Sequence, residues 1–390
     1  MYQEKIYHIK KEMEKRNIDI MILRLPENVL YLSGYWPVMG LSLLLFPREG
    51  EPILIVPKSE EEYAEKGWVR DIRVYGTETL SEIWHPLNEI YNILKDIEIP
   101  KGTRAGCELN WETMSTNSVV GELNYPSSLT FETIRKAWNV EMVDITDMLL
   151  KLRMVKSEYE LRKIRLANEL AEIGIEALLE KIEEGVKESE LAAEAERAIY
   201  AEGVGFKGEV ERARGFAFVM SGENSSKAWY PFNISSGRRI RKGDVILLEF
   251  NVCADGYWTD ITRTWVLGTP TKEQEEMYST IVEAQEVAFK NIKDGISAKE
   301  ADRVVREYIS NKGYSSYYPH RLGHGIGLRI HELPALHPAS KDILKENMVH
   351  TVEPGLYTKN FGIRLEDDVI VLKKGVKNLS PFAKFFSLKK

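Results

Sequence analysis

Short apolar runs alternate with helix-period segments through the first third of the chain. DIMILRL at 19–25, LSLLLF at 41–46, PILIVP at 52–57 and DIRVY at 71–75 read as strands, and residues 82–98 carry a helical period. This order predicts a small α/β domain with a mixed sheet, closing near residue 150. Beyond it, Ser157 with Glu160 forms a capping box, and Leu161, Ile164, Ala171, Ile175, Leu178 and Ile182 recur on one helical face. A second helix, about 187–201, stops at Gly203. Strands follow at 215–220 and 247–266, and then the same grammar returns. Thr271 with Gln274 opens a capped helix, and Ser297 with Glu300 opens its partner, which ends at Gly313. Two helix pairs, each followed by strands, predict a second domain of two similar halves. The expected domains are therefore 1–150 and 151–390.

Composition narrows the class without naming a reaction. A chain of 390 residues with 43% hydrophobic content suits two domains. No run reaches the roughly 18 apolar residues of a membrane helix, and MYQEKIYHIKKEMEKRNIDI lacks a signal-peptide core, so neither membrane insertion nor secretion is expected. Cys107 and Cys253 are too few for a disulfide framework or a thiolate metal site, which fits a reducing cytoplasm. A net charge of −7, with basic residues dispersed among acids, offers no face for nucleic acid.

Chemistry enters with LLEFNVCADGYWTDITRT at 247–264. Asp255-Gly256 is a hairpin signal, because a tight turn needs the positive φ these residues tolerate, and it sets Glu249 and Asp260 roughly opposite each other on neighbouring strands. Two acids buried there unpaired would cost several kcal/mol, so something positive is expected between them. Arg263 or Arg364 in an ordinary ion pair would serve. HRLGHGIGLRIHELP, 320–334, concentrates His320, His324 and His331, with glycines around His324 that permit close backbone approach. Pro334 forbids the continuous helix that a zinc motif of H-E-x-x-H type would need from His331. HTVEPGLY places Glu353 at the end of a β-branched run. IRLEDDVIVL, 363–372, reads as one strand with Arg364, Glu366 and Asp368 on one side and Ile363, Leu365 and Asp367 on the other.

Taken together, SGEN, DITRT, GHGIG with IHE, TVEPG and IRLEDD resemble the pita-bread metallopeptidase family of Xaa-Pro aminopeptidases, prolidases and methionine aminopeptidases, related to creatinase. The motifs span most of 155–372, and PENVLYLSGY at 26–35 resembles the smaller N-terminal domain of prolidase and creatinase. The resemblance implies an α+β fold: a creatinase-like α/β domain, then a pita-bread domain whose helix pairs cover a curved antiparallel sheet. It further implies two divalent metal ions held by Glu249, Asp260, His324, Glu353 and Glu366. An oxygen-rich set with one imidazole suits Mn, Co or Fe, with Zn as a further candidate. Such ions activate a water and polarise the scissile carbonyl. By the same resemblance Glu353 shuttles the proton, His331 stabilises the tetrahedral intermediate or leaving amine, and Arg364 orients the carboxylates. The expected substrate is a short peptide with proline second, and the expected assembly a homodimer.

Two positions depart from that family. Glu249 stands where its members carry Asp, and the extra methylene would reposition or weaken one ion, which leaves a one-metal or metal-poor site as the alternative. Trp229 stands where peptidases place a catalytic His. An indole donates one hydrogen bond and accepts no proton, so Trp229 is expected to wall the substrate pocket, with His320 near it. The main reading is metal-dependent hydrolysis of Xaa-Pro peptide bonds by a dipeptidase or aminopeptidase, with altered specificity or a reduced rate as the effect of the two departures. The alternatives are a hydrolase of a non-peptide amide on a creatinase-like scaffold and a catalytically weak binding paralogue.

Overall fold

The computed structural model describes residues 2–38, 41–76, 85–114, 127–229 and 234–388. It forms two compact units, Met1–Leu152 and Arg153–Lys390.

Six strands make the sheet of the first unit: β1 (Ile20–Leu23), β2 (Leu43–Pro47), β3 (Ile53–Pro57), β4 (Asp71–Tyr75), β5 (Arg104–Cys107) and β6 (Glu141–Asp144). Their order is β4-β3-β2-β1-β5-β6. The pairs β1–β2 and β2–β3 are antiparallel and the others parallel, so the sheet is mixed, as the alternating pattern predicts. The central strands β1, β2 and β3 are apolar and almost wholly buried. The expected helix at 82–98 is observed as Pro86–Lys95, with residues 82–84 outside the described residues.

The second unit contains the site. Helices Glu158–Lys181 and Glu188–Gly203 pack on β7 (Ala213–Ser221), β8 (Val245–Ala254) and β9 (Tyr257–Leu267). Leu166, Leu170, Leu191 and Ile199 meet Val219, Leu248, Phe250 and Ile261 in one buried cluster. The helices start where the sequence places them: Ser157 and Glu160 exchange the paired bonds of a capping box, as do Thr271 and Gln274. That second cap opens Lys272–Asn291, and Ala298–Asn311 is its partner. This pair covers β10 (Gly323–Gly325), β11 (Glu332–Leu336), β12 (Val349–Val352), β13 (Gly355–Tyr357), β14 (Gly362–Arg364), β15 (Asp367–Val371) and β16 (Val376–Asn378), through Met277, Ile281, Val305 and Ile309 against Val352, Ile363 and Val369. The last strand, β17 (Ser387–Leu388), joins β9 in parallel.

Two expectations are corrected. The strands form three hydrogen-bonded sheets rather than one: β17-β9-β8-β7, β11-β10-β12-β15-β16 and the ribbon β13-β14. IRLEDDVIVL is accordingly not one strand. The chain leaves β14 after Arg364, and the N–H of Leu365 and that of Glu366 donate to the carbonyls of Pro354 and Thr262 before β15 begins. Those cross-sheet bonds are tertiary, which is why local alternation does not reveal the break. Within β11, Leu333-Pro334 lies in extended backbone rather than helix, as Pro334 requires.

Candidate functional site

The β8–β9 hairpin supplies the first wall. Asp255 and Gly256 take φ of 49° and 86°, so the turn has two residues and Ala254 pairs with Tyr257. Counting back from that pair sets Asn251 opposite Asp260 and Glu249 opposite Thr262. The expectation that Glu249 faces Asp260 is therefore corrected: the two acids share a face but are diagonal neighbours. Asn251 Nδ2 donates to Asp260 Oδ1 at 2.6 Å. Thr262 Oγ1 donates to Glu366 Oε2 at 2.7 Å and accepts from Arg364 Nε at 2.9 Å. Of the two arginines that could pair with Glu249, Arg364 does so through Nη2, whereas Arg263 turns to Asp367 at 2.6 Å.

The second wall comes from three loops and strand ends. On β10, His324 is buried, and a Cβ on Gly323 or Gly325 would strike the carbonyl of Thr351 or Leu333, so glycine lets the neighbouring backbones close around the imidazole. Its Nδ1 lies 3.1 Å from the Gly325 carbonyl, which assigns the proton to Nδ1 and leaves a lone pair on Nε2. That lone pair faces Asp260 Oδ2 at 3.6 Å and Glu353 Oε1 at 3.5 Å. Glu353 directly follows β12, after its β-branched run, and its N–H donates to the Leu322 carbonyl. Glu366 is buried, and among the described residues its Oε1 has no hydrogen-bond partner.

The structure thus gathers ligand atoms of Glu249, Asp260 and Glu366, of His324, Glu353 and Glu366, and of Asp260, His324 and His331, each group within 4.8 Å. All five residues expected at a metal, and His331 beside them, converge. Burial, then the charges of Glu366 and Glu353, hold the Asp260 carboxyl well above the usual range. Burial and Glu366 do the same to Glu353, although Arg321 opposes them, and burial raises Glu366 against the pull of Arg364. Conversely, burial and the neighbouring His331 hold His324 well below its ordinary value, so the imidazole is neutral. Carboxylates repel one another here and face a nitrogen lone pair across gaps too long for good hydrogen bonds. A divalent cation satisfies all of these donors at once, and the hard oxygen set with one neutral imidazole fits such an ion.

The surrounding shell extends this picture. Arg364 also donates through Nη1 to the Ala228 carbonyl at 3.0 Å and the Tyr357 hydroxyl at 2.9 Å. Tyr357 in turn lies 3.1 Å from His320 Nε2. His320 is therefore linked to Arg364 through Tyr357 and stands outside the clustered ligand atoms. Trp229 follows Ala228, whose carbonyl is held by Arg364, and its side chain is 38% exposed. The rings of His331 and His324 meet edge-on with centroids 4.0 Å apart, and burial pushes His331 down to about 3. Asn251, Thr262 and Tyr357 are contacts that the residue types alone do not announce. The signal for the first two was the two-residue turn, which fixes the cross-strand register.

The fold and this acid–imidazole cluster define a metallopeptidase. Residues 162–373 match the model of metallopeptidase family M24, and residues 5–155 match the creatinase/prolidase N-terminal domain. The chain is 32% identical to an Xaa-Pro dipeptidase of Pyrococcus horikoshii over 97% of each chain. Among solved structures it is similar to the prolidase of Pyrococcus horikoshii (TM-score 0.79, 31% identity, 98% of this chain and 99% of that one). It is also similar to an Xaa-Pro dipeptidase of Bacillus anthracis (TM-score 0.82, 27% identity, 100% of each chain). The chain belongs to metallopeptidase family M24, of the pita-bread fold, and is an enzyme of metal-dependent peptide hydrolysis. The non-peptide hydrolase and the weak binding paralogue are not favoured. Among the described residues no helix is long and apolar enough to cross a membrane.

Proposed function

We propose that this enzyme hydrolyses dipeptides with proline second, using Asp260, His324, Glu353 and Glu366, with Glu249 beside them, to hold divalent metal. The observation that carries the reading is the neutral Nε2 of His324 facing the oxygens of Asp260 and Glu353, with Glu366 Oε1, which has no hydrogen-bond partner among the described residues, in the same cluster. Relatives named Xaa-Pro dipeptidase that match nearly the whole chain support the substrate class. Manganese, cobalt or iron fits the donor set best, and zinc would also be accepted. When bound, the metal supplies Lewis acidity that lowers the pKa of the attacking water and polarises the scissile carbonyl.

The chain's own residues do the rest. Glu353 would take the proton released by the water and pass it to the leaving proline nitrogen. His331 remains neutral because burial holds it near 3, so it acts as a hydrogen-bond donor to the tetrahedral oxygen or the leaving amine rather than as a charged acid. Arg364 fixes the direction of Glu249 and, through Thr262, of Glu366. Trp229 carries no proton-transfer duty and walls the substrate pocket with His320 near it. A cytoplasmic homodimer completes the proposal.

The test is chelation followed by addition of Mn, Co, Fe or Zn, with Xaa-Pro dipeptides, non-proline dipeptides and longer peptides assayed in parallel. Metal-restored turnover that is greatest for Xaa-Pro dipeptides is expected. No turnover with any of these metals, or turnover indifferent to chelation, contradicts the reading.

A further inference from the structure

His331 lies in the connection between β10 and β11, and the residue that fixes this connection is the next one in the chain. Glu332 opens β11 opposite Gly325, and it is buried. Its Oε1 accepts from the backbone N–H of Arg329 at 3.1 Å, which closes the segment 329–332 on itself. The same oxygen accepts from Arg153 Nε at 3.1 Å and from Arg153 Nη2, and Oε2 accepts from Lys156 Nζ at 3.1 Å. Both cations are buried, and Lys156 also donates to the Arg153 carbonyl at 2.6 Å, so the anchor is itself fixed. Gly327 runs so close to it that a Cβ there would lie 3.0 Å from Glu332 Oε2 and from Lys156 Cε. The Gly327 carbonyl accepts from the N–H of Trp258 at 2.7 Å, two residues before Asp260. The connection is thus held at Gly327, Arg329 and Glu332, and from it the ring of His331 meets that of His324 edge-on at 4.0 Å.

We infer that Glu332 is a positioning residue for His331: anchored on Arg153 and Lys156, it sets the backbone from which the imidazole reaches the metal cluster. The inference rests on the role of His331 proposed above. A donor to a tetrahedral oxygen acts well only if it already points where the charge develops, and about 1 Å of misplacement costs on the order of 100-fold in rate. One peptide bond separates His331 from a carboxylate tied to two cations and to an N–H of its own segment. Because those partners are Arg153, Lys156 and Arg329 rather than the metal-holding residues, loss of Glu332 should disturb His331 and spare metal binding.

The experiment is a double-mutant cycle on the Mn(II)-loaded full-length enzyme. Wild type, Glu332→Gln, His331→Ala and the double variant are assayed on a panel of Xaa-Pro dipeptides, with bound metal counted by elemental analysis. Glu332→Gln is expected to lower kcat about 10- to 100-fold with KM and bound metal unchanged. In the His331→Ala background the same substitution is expected to lower kcat by less than about 2-fold, because its effect passes through the missing imidazole. Full kcat in folded Glu332→Gln, a loss of metal, or an equal fold-loss in both backgrounds overturns the inference and leaves the proposed function standing. If Glu332→Gln does not fold, Arg153→Lys, which keeps the charge and loses the paired guanidinium contact, takes its place in the cycle under the same criteria. Unchanged kcat in His331→Ala overturns the role of His331 and this inference with it. No turnover of any Xaa-Pro dipeptide by wild type overturns the proposed function and the inference together.

Discussion

Glu332 and Glu366 are both buried acids of the same unit, yet they are driven in opposite directions. Glu332 receives Arg153 through two guanidinium nitrogens and Lys156 at 3.1 Å, and although burial pushes its carboxyl up, the two cations outweigh it and bring it to about 2. Glu366 sits among Glu249, Asp260 and Glu353, where the bonded cation of the chain, Arg364, is joined to Glu249, and its carboxyl is raised. The contrast separates two uses of a buried acid. Where the chain supplies the positive charge, the acid is a structural tie; where it withholds that charge, the acids await a cation from outside. Adjacent residues differ in the same way, since Asp367 meets Arg263 and Lys384 while Asp368, which accepts from Thr259 and Asn168, is pushed by burial to about 8.

Substitution breaks the comparison in opposite ways. Glu366→Ala should lower metal-dependent kcat on the order of 10³-fold and reduce bound metal, because it removes an acid that only the ion compensates. Steady-state assay and elemental analysis measure both, and unchanged turnover would refute the assignment. Glu332→Gln should instead leave the metal count intact and cost about 3 to 5 kcal/mol of folding stability by stranding two buried cations. Denaturant unfolding of the metal-free protein reads that loss. The same pair predicts an acid limb. A carboxyl held near 2 when folded, against about 4.5 when free, contributes roughly 3 kcal/mol above about pH 5 and loses it as the pH falls toward 2. That limb should shrink in Glu332→Gln; an undiminished limb would place the effect elsewhere.

Much of this was legible before any coordinate. Helix starts followed from Ser157 and Thr271, and the place of Glu353 just past a strand from the β-branched run before it. The four acids and one histidine expected at one place do converge, because each sits on a strand or beside a strand end where local pattern survives. What stayed hidden depends on register and on distant partners. The turn at Asp255-Gly256 already specifies Asn251 opposite Asp260, but the spacing between Glu249 and Asp260, taken alone, suggests a different pair. Arg153 and Glu332 lie 179 positions apart, and no periodicity couples them. The break between β14 and β15 likewise needs the carbonyls of Pro354 and Thr262, which belong to other strands and turns.

What remains to be tested is that divalent metal from outside completes the acid cluster that the chain leaves uncompensated. Crystals grown with Mn(II) and measured at its absorption edge test this directly. Anomalous density is expected among Glu249, Asp260, His324, Glu353 and Glu366. A cluster without a peak, in crystals where the metal lies elsewhere on the chain, would contradict it.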